Sequence, residues 1–255
     1  MERLLSRGWN VTSVVRNPDH KAEILAAGKD GPGVVDVLVH SIEDVKSEAD
    51  AKNLLERVKP EWVIWSAGAG GKGGRHRTYA IDQDAAIYFT RAIMATPSIS
   101  KFLLVSAINS RRSRAPWWSD QDWEASKKVE QAIPDYCKAK LAADEVLTVL
   151  AEERRAKEGS DNFSYICLRP GRLTDDKETG KVAMGKISPI GEVTRADVAE
   201  VAVRLLENDE ANGWFDLEGG NEDAKEAVDR VVREGIDDSE GEDRSVMKAN
   251  IKSYL

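Results

Sequence analysis

The chain has 255 residues, 45 of them acidic and 37 basic, and its formal net charge is -8 at pH 7. This acid excess argues against a general nucleic-acid or membrane-surface binder. Two cysteines, Cys137 and Cys167, do not make a disulfide framework and are typical of a reducing compartment. No apolar stretch reaches the roughly 18 residues that span a bilayer. We therefore expect a cytoplasmic protein with neither a nucleic-acid nor a membrane partner.

Short β-rich runs alternate along the chain with segments of helical periodicity. The runs are VTSVVR, VVDVLV, EWVIWSA, KFLLVSA and FSYICLRP, in that order. The alternation predicts an α/β fold with a parallel sheet covered by helices. EWVIWSA and KFLLVSA are continuously apolar, as expected of strands buried on both faces, and are predicted to be central. A helix after Thr194, a suitable N-cap, leads to a predicted edge strand from Trp214 to Leu217.

The chain divides by composition near residue 233. Residues 1–233 carry the alternating pattern and are predicted to form one nucleotide-binding domain with small substrate-pocket insertions. Residues 234–255 begin with the acidic run EGIDDSEGEDRS, which is poor in apolar residues. Such a composition is typical of a mobile tail, and we expect this one to carry no chemistry.

Tyr136 and Lys140 form the first candidate for chemistry, in the segment PDYCKAKLAADEVLTVL. Pro134 suits the first turn of a helix, and a spacing of four places both side chains on one helix face. An ammonium beside a phenol favours the phenolate and lowers a pKa that is normally about 10, which makes tyrosine a usable acid or base near neutral pH. The alternative is a packed tyrosine beside a solvated lysine, and the spacing alone does not decide between them.

Two further segments give this pair its context. The run KFLLVSAINS ends a predicted strand at Ser106, whose hydroxyl is a candidate to bind a substrate carbonyl, and YICLRPGRLTD ends another strand before Pro170 and Gly171. Strand-Ser, Tyr-x-x-x-Lys and strand-Arg-Pro-Gly, in this order, resemble the atypical short-chain dehydrogenases/reductases, including fungal NAD-dependent epimerase/dehydratase-like proteins. The resemblance covers about residues 1–233 and extends through VTSVVRNP, VIWSAGAGGKGG and VTRADVAEVAVRLL.

The resemblance implies a Rossmann-type, doubly wound and mostly parallel sheet that is truncated at its amino end. In this family a first strand and a T-G-x-x-G-x-x-G loop precede the helix that ends in LLSRG, and neither is present in this sequence. The loop brings the cofactor pyrophosphate to a helix N-terminus. The strand would lie between those that end at Arg16 and Ala67, and losing its buried side chains removes on the order of 10 kcal/mol. We therefore expect an upstream start for the natural chain, with Met1 an internal methionine.

A literal G-x-G-x-x-G occurs at Gly68, Gly70 and Gly73, after the strand EWVIWSA. The segment RHRTY separates it from the next helical periodicity, and the following strand ends without an acid to bind a ribose. We therefore predict a flexible loop rather than the absent fingerprint. By resemblance, Ala67, Gly68 and Ala69 line the adenosine half of the cofactor.

Arg16 ends the second strand of the family order, where NAD-selective proteins place an acid and NADP-selective ones tend to place a base. It favours NADP(H) over NAD(H), and an ordinary surface arginine is the alternative. His20, His40 and His76 are scattered without metal-ligand spacing, so the sequence predicts no metal site.

The segment SRRSRAPWWSDQDW lies where the resembled proteins build part of the substrate pocket. Arg111 and its neighbouring arginines are candidates to hold an acidic substrate. Trp117 and Trp118 are candidates for an aromatic wall. The alternatives are a solvated basic turn for the arginines and a loop anchor for the tryptophans.

By resemblance, the function is NADP(H)-dependent hydride transfer to or from a small carbonyl, alcohol or sugar-like substrate. Tyr136 is then the general acid/base, while Lys140 lowers its pKa and holds the nicotinamide ribose. Ser106 orients the substrate oxygen, and Pro170 with Gly171 shapes the nicotinamide pocket. The alternatives are a dinucleotide-sensing or protein-binding module and a catalytically dead truncated paralogue. As in many relatives, the Tyr136 helix is a candidate homodimer interface.

Overall fold

The computed structural model describes residues 1–29, 31–71, 73–157 and 163–254. Within these ranges the chain forms ten strands and ten α-helices. The strands are β1 (Val11–Val15), β2 (Val35–Val39), β3 (Trp62–Trp65), β4 (Lys101–Val105), β5 (Ser164–Pro170), β6 (Arg172–Thr174), β7 (Lys181–Met184), β8 (Glu192–Thr194), β9 (Gly213–Gly219) and β10 (Glu222–Asp223).

The helices begin where local chemistry satisfies their first amide groups. Thr194 caps the helix that follows it, as predicted, by accepting from the Asp197 amide, and Ser119 forms a capping box with Asp122. The helices are α1 (Glu2–Leu5), α2 (Lys21–Ala26), α3 (Glu48–Val58), α4 (Gly74–Thr78), α5 (Ala86–Met94), α6 (Asp120–Ala132), α7 (Pro134–Arg155), α8 (Arg195–Glu207), α9 (Ala224–Arg233) and α10 (Arg244–Asn250). A π-helical segment, Tyr79–Ala85, joins α4 to α5.

The central sheet has six strands in the order β10-β7-β9-β5-β4-β3. Strands β3, β4, β5 and β9 are parallel, whereas β7 runs antiparallel to β9 and β10 antiparallel to β7. This confirms the predicted α/β, mostly parallel sheet of Rossmann type. The prediction that the strand from Trp214 to Leu217 lies at an edge is wrong, because the short strand β7 pairs with its outer side.

Helices cover both faces of the sheet, and the side chains of the central strands alternate between two cores. In β4, Leu104 packs with residues of α3, α5, α7 and α10, while Leu103 packs with residues of α8 and α9. In β5, Cys167 packs in the same core as Leu104, and Ile166 packs in the same core as Leu103. Burial on both faces explains the continuous apolar runs of these strands.

Strands β1 and β2 form a separate parallel pair and are not hydrogen-bonded to β3. A cleft of about 1110 Å³ lies between β1 and β3 and is lined by residues of both. In the described part of the chain, β3 is therefore the edge of the six-stranded sheet, although its apolar run predicts a central strand. That the natural chain starts further upstream stays a prediction.

The segment after residue 233, expected to be a mobile tail, packs against the domain. Met247 in α10 and Ile251 just after it are buried in the core that contains α7. The Arg111 guanidinium donates to the carbonyls of Asp238 and Glu240 at 2.6 and 2.8 Å. The prediction of a mobile tail is wrong because it was based on the acidic average composition of the segment, whereas a few apolar residues bind it to the core.

We expect Met247→Ala to lower the free energy of unfolding by about 2–5 kcal/mol, because it leaves a cavity between α10 and α7. Val246→Ala on the exposed side of the same helix should change the free energy by no more than about 0.5 kcal/mol. Urea denaturation of the two variants makes the comparison. Equal, negligible effects would show that α10 does not pack on α7 in solution.

Candidate active site

Tyr136 and Lys140 lie in the first two turns of α7, which begins at Pro134. The Lys140 Nζ is 5.7 Å from the centre of the Tyr136 ring, so the two side chains share a face as their spacing predicts. Lys140 is buried, and its Nζ donates to the carbonyl of Val105, the last residue of β4, at 3.0 Å. The pair therefore stands at the carboxyl end of a central parallel strand.

Asp82, in the π-helical segment, connects this pair to the glycine-rich loop after β3. Its Oδ2 accepts from the Ala69 amide at 2.9 Å, and its Oδ1 lies 3.4 Å from the Lys140 Nζ. A Cβ on Gly68 would stand 2.8 Å from the same carboxylate, so this close approach requires glycine. Sequence analysis missed Asp82, whose only signal is an acid within a helical pattern.

The Tyr136 phenol has a pKa well above its usual value. Burial is the main cause, followed by the nearby carboxylates of Asp82 and Asp144. The Asp82 carboxylate that contributes to this rise also lies 3.4 Å from the Lys140 ammonium. That Lys140 lowers the pKa of Tyr136 stays a prediction. Tyr136 is a protonated acid at neutral pH.

Ser106 follows β4 directly, but its side chain points into the protein. Its Oγ donates to Asp144 Oδ2 at 2.7 Å, and the residue is buried. Burial raises the pKa of Asp144 to about 6, although Arg169 and the Ser106 hydroxyl oppose the shift. The structure thus gives the predicted substrate-orienting hydroxyl an internal acceptor on α7.

Arg169, the arginine of the Arg-Pro-Gly motif, is completely buried beside Asp144. It contacts Asp144 and Asp216 at 2.8 Å each and donates to the carbonyls of Ile108 and Ser110 at 3.0 and 3.1 Å. Its guanidinium also stacks 4.1 Å from the Trp214 ring centre and fixes the loop after β4.

Pro170 ends β5, and Gly171 follows it, at the same edge of the sheet. The Pro170 carbonyl accepts from the Ile108 amide at 3.1 Å, and the Gly171 amide donates to the Leu217 carbonyl at 2.9 Å. A Cβ on Gly171 would collide with the Glu218 carboxyl group as it is placed here, so the two residues are in close contact. Glu218 was not predicted from the sequence.

The predicted cofactor residues meet at the carboxyl ends of β1 and β3. Arg16 is 61% exposed on its side chain and contacts Glu43 at 2.7 Å. Arg77 contacts the same carboxylate at 2.9 Å and donates to the Ala69 carbonyl at 3.0 Å. Arg16 and Ala69 are thus joined through Glu43 and Arg77, neither of which was predicted. Ala67 is half-buried against the core behind this loop.

In the described ranges, Gly73 leads directly into helix. Gly70 and Gly73 have positive φ, which glycine tolerates. Helical structure begins at Gly74, whereas the sequence predicts an irregular RHRTY segment before the helix. The five-residue α4 continues through the π-helical segment, which accounts for the irregular periodicity.

Two of the three predicted substrate residues are structural. The Arg111 side chain is completely buried and contacts Glu242 at 3.5 Å, besides the two carbonyls of the C-terminal segment. Trp118 is buried, and its indole Nε1 donates to the Ile187 carbonyl at 2.9 Å. Trp117 donates to the same carbonyl at 3.0 Å but keeps exposed surface. The predicted substrate contacts of Arg111 and Trp118 are therefore wrong, since neither side chain reaches solvent.

The described ranges were compared with the requirements for a metal site and for a membrane-spanning helix. They contain no group of three or more His, Cys, Asp or Glu side chains arranged to hold a metal ion. In the same part of the chain, no helix is long and apolar enough to cross a membrane.

The fold and the site define a Rossmann-type nucleotide-binding protein. The sequence pattern of the NAD(P)H-binding family matches residues 1–209, and the chain belongs to this family. The resemblance to NAD(P)-binding, epimerase/dehydratase-like proteins is thereby confirmed.

Related proteins match most of the chain. The UPF0659 protein C216.03 of Schizosaccharomyces pombe is 35% identical over 190 residues, which are 73% of each chain. YhfK of Bacillus subtilis, named as an uncharacterized sugar epimerase, is 27% identical over 223 residues, or 87% of this chain and 88% of its own. A solved structure from Bacillus halodurans, named as an NAD-dependent epimerase/dehydratase, matches this chain with a TM-score of 0.67 and 23% sequence identity. It shares the fold over 90% of this chain and 93% of its own.

Glu218 makes the stability of the protein depend on pH. Its two buried carboxyl oxygens have no hydrogen-bond partner within the described ranges, and burial raises its pKa to about 8. A carboxyl whose pKa is higher in the folded state than in the unfolded state binds more protons when folded. Stability therefore falls as pH rises from about 4.5 to about 8, by at most about 1.4 kcal/mol per pH unit.

We expect Glu218→Gln to stabilise the protein more at pH 8 than at pH 6, because the amide has no proton to lose. Chemical denaturation at the two pH values measures the difference. Glu210→Gln, on the exposed turn before β9, is the control and should show no such pH dependence. An equal effect of Glu218→Gln at both pH values would contradict the raised pKa.

Proposed function

We propose that the protein is an NADP(H)-dependent oxidoreductase that acts on a carbonyl or hydroxyl group of a small, sugar-like substrate. The observation that carries the proposal is the group of Tyr136, Lys140 and Asp82 beside the end of β4. It puts a protonated phenol and a buried ion pair at the carboxyl edge of a parallel sheet, where open α/β folds bind ligands. The name of the Bacillus subtilis relative supports the sugar-like substrate class.

The residues fit a nicotinamide dinucleotide at two places. Arg16 and Arg77 bring two guanidinium groups to the Glu43 carboxylate, and Arg77 also donates to the Ala69 carbonyl, an arrangement suited to a phosphate on the adenosine side. The Lys140 ammonium has three donors, of which one donates to the Val105 carbonyl, while the Asp82 carboxylate lies 3.4 Å away as an ion pair. Its third donor suits a ribose hydroxyl. Pro170 and Gly171 offer backbone at the same edge.

The chemistry assigned to the chain is proton transfer. A bound nicotinamide supplies or accepts the hydride. The Tyr136 hydroxyl gives its proton to the substrate oxygen as a carbonyl is reduced, and takes it back in the reverse direction. Because burial and Asp82 keep the phenol protonated, Tyr136 is in the state that donates a proton when a carbonyl is reduced. Asp82 acts by positioning Lys140 and the Ala69 loop.

We expect Tyr136→Phe to lower kcat for NADPH-dependent carbonyl reduction by about 10²–10⁴-fold, the usual contribution of a general acid. NADPH oxidation across a panel of small carbonyl and keto-sugar substrates measures it. Tyr88→Phe, which removes a hydroxyl from the half-buried Tyr88 of α5, is the matched control and should retain kcat. Unchanged turnover in Tyr136→Phe would refute the acid role.

The choice of NADP(H) over NAD(H) rests on the arginines near Glu43. Hydrogen bonds from Arg77 and Arg16 hold the pKa of the Glu43 carboxyl below its usual value. A 2′-phosphate carries the same kind of charge as this carboxylate and can replace it as the partner of both guanidinium groups. A 2′-hydroxyl offers no such charge.

We expect Arg16→Ala to weaken NADPH binding roughly 10- to 100-fold, the loss of one charge-assisted hydrogen bond, while NADH binding changes little. Titration of nicotinamide fluorescence with each cofactor measures both affinities. Arg233→Ala, at the exposed end of α9, controls for the loss of a positive charge. Equal weakening of NADPH and NADH would show that Arg16 does not read the 2′-phosphate.

A dinucleotide sensor is the second candidate function. The burial of Ser106 and its bond to Asp144 favour it, because the hydroxyl expected to orient a substrate oxygen is engaged inside the protein. A sensor would bind NADPH without oxidising it in the presence of any carbonyl of the panel. Tyr136→Phe would then leave NADPH affinity unchanged and have no turnover to lose.

A further inference from the structure

Glu218 is a buried acid to which the proposed mechanism gives no role. It lies in β9, one residue before the strand ends, and only 4% of its surface is exposed. Neither of its carboxyl oxygens has a hydrogen-bond partner among the described residues. An unpaired polar group in the interior costs free energy, so a carboxyl held in this way indicates a partner from outside the chain.

Glu218 lies on the same face of the sheet as α7, the helix of the candidate active site. Arg169 of β5 contacts Asp144 of α7 and Asp216 of β9, so Arg169 and Asp216 both face α7. Side chains two residues apart along a strand share a face. Glu218, two residues after Asp216, therefore faces this side at the carboxyl edge.

Two glycines lie against the Glu218 carboxyl group. A Cβ on Gly171 would overlap Glu218 Oε1, and a Cβ on Gly191 would stand 3.1 Å from the carboxyl carbon. Gly171 and Gly191 precede β6 and β8, which pair in parallel, so the carboxyl lies between the starts of these two strands. Because neither glycine has a side chain, these two residues cover the carboxyl with backbone only.

Lys140 and Glu218 stand on either side of the end of β5. The Lys140 Nζ contacts the last carbonyl of β4, and β9 lies two strands from β4 with β5 between them. Neighbouring strands are about 4.8 Å apart, so the two groups are offset by roughly 10 Å across the strands. A nicotinamide riboside that has its ribose at Lys140 extends over this edge towards Gly171 and Glu218.

A neutral carboxylic acid matches a primary carboxamide. The acid has an O–H donor beside a C=O acceptor, and the carboxamide has an N–H donor beside a C=O acceptor. Burial favours the neutral acid by raising the pKa of Glu218 to about 8, and the carboxylates of Asp216 and Glu192 add to the rise. An anionic ligand group does not suit the site, because Asp216 and Glu192 carry charge of the same sign.

We propose that Glu218 binds the carboxamide of the nicotinamide, accepting a hydrogen bond from its N–H and donating one to its carbonyl. The proposal rests on the proposed function, in which Lys140 holds the ribose and Gly171 lies beside the ring. Two hydrogen bonds to the carboxamide fix the rotation of the nicotinamide ring. They thereby decide which face of the ring meets the substrate at Tyr136.

Calorimetric titration of the full chain with two reduced cofactors tests the proposal. The first is NADPH, and the second is its 3-acetylpyridine analogue, in which a methyl ketone replaces the carboxamide and removes the N–H donors. We expect NADPH to bind at least about 10-fold more tightly at pH 7, because the analogue leaves the acceptor of Glu218 without a donor. The two ligands carry the same phosphates and adenosine, so their affinity ratio reports the carboxamide alone.

Three variants assign this affinity ratio to Glu218. Glu218→Gln keeps a donor and an acceptor and should keep the preference for NADPH. Glu218→Leu has a similar volume without polar atoms, and it should bind the two cofactors with nearly equal affinity. Glu192→Gln, which removes the charge of an exposed neighbouring acid, is the matched control and should keep the preference. A residue that only supports the fold would change both affinities together and leave the ratio unaltered.

Three results would overturn the proposal. The first is equal affinity of the unaltered chain for the two cofactors. The second is a preference for NADPH that survives Glu218→Leu, which would assign the carboxamide to other groups. The third is the absence of binding by either cofactor, which would also remove the proposed oxidoreductase activity. Failure of that activity alone has a different result, in which the preference depends on Glu218 but no carbonyl of the panel is reduced.

Discussion

The buried charge of Arg169 is the constraint on which the rest of the site depends. A guanidinium removed from water is stable only when carboxylates and carbonyls replace its hydration. Asp216 on β9, Asp144 on α7 and two carbonyls of the loop after β4 supply that replacement. Because these partners come from three parts of the fold, the charge fixes β5, β9, α7 and the loop relative to one another. Loss of one carboxylate would leave the buried guanidinium with a single counter-charge and an unsatisfied N–H donor, which costs more than the loss of a surface pair.

Near the proposed cofactor site, too, single carboxylates each bind two internal partners. Asp144 accepts from Ser106 as well as from Arg169, and Asp82 engages both Lys140 and the Ala69 amide. The site is thus held by internal pairs, and a ligand must compete with them or add to them. Ser106 and Lys140 differ in this respect. The Ser106 hydroxyl has one donor, which it uses in the hydrogen bond to Asp144, whereas the Lys140 ammonium has a further donor for a ligand. The structure therefore favours Tyr136 and Lys140 over Ser106 as the groups that meet a ligand.

Features that depend on local sequence were predictable, and features that depend on distant partners were not. Strand runs, the Thr194 cap and the shared face of Tyr136 and Lys140 follow from periodicity and spacing. Asp82 and Glu218 gain their roles from residues that lie far away in sequence, so neither stands out in the chain. Arg111 shows the opposite error, because a basic residue in a polar run looks solvated until the C-terminal segment covers it. That segment was itself misjudged, since its average composition conceals Met247.

The division of the sheet has a consequence for cofactor binding. Arg16 follows β1 directly, and β3 leads into the Ala69 loop, so the two halves of the proposed adenosine site lie on opposite sides of the cleft. They are connected through Glu43 and Arg77, a bridge that is exposed to solvent and therefore weak.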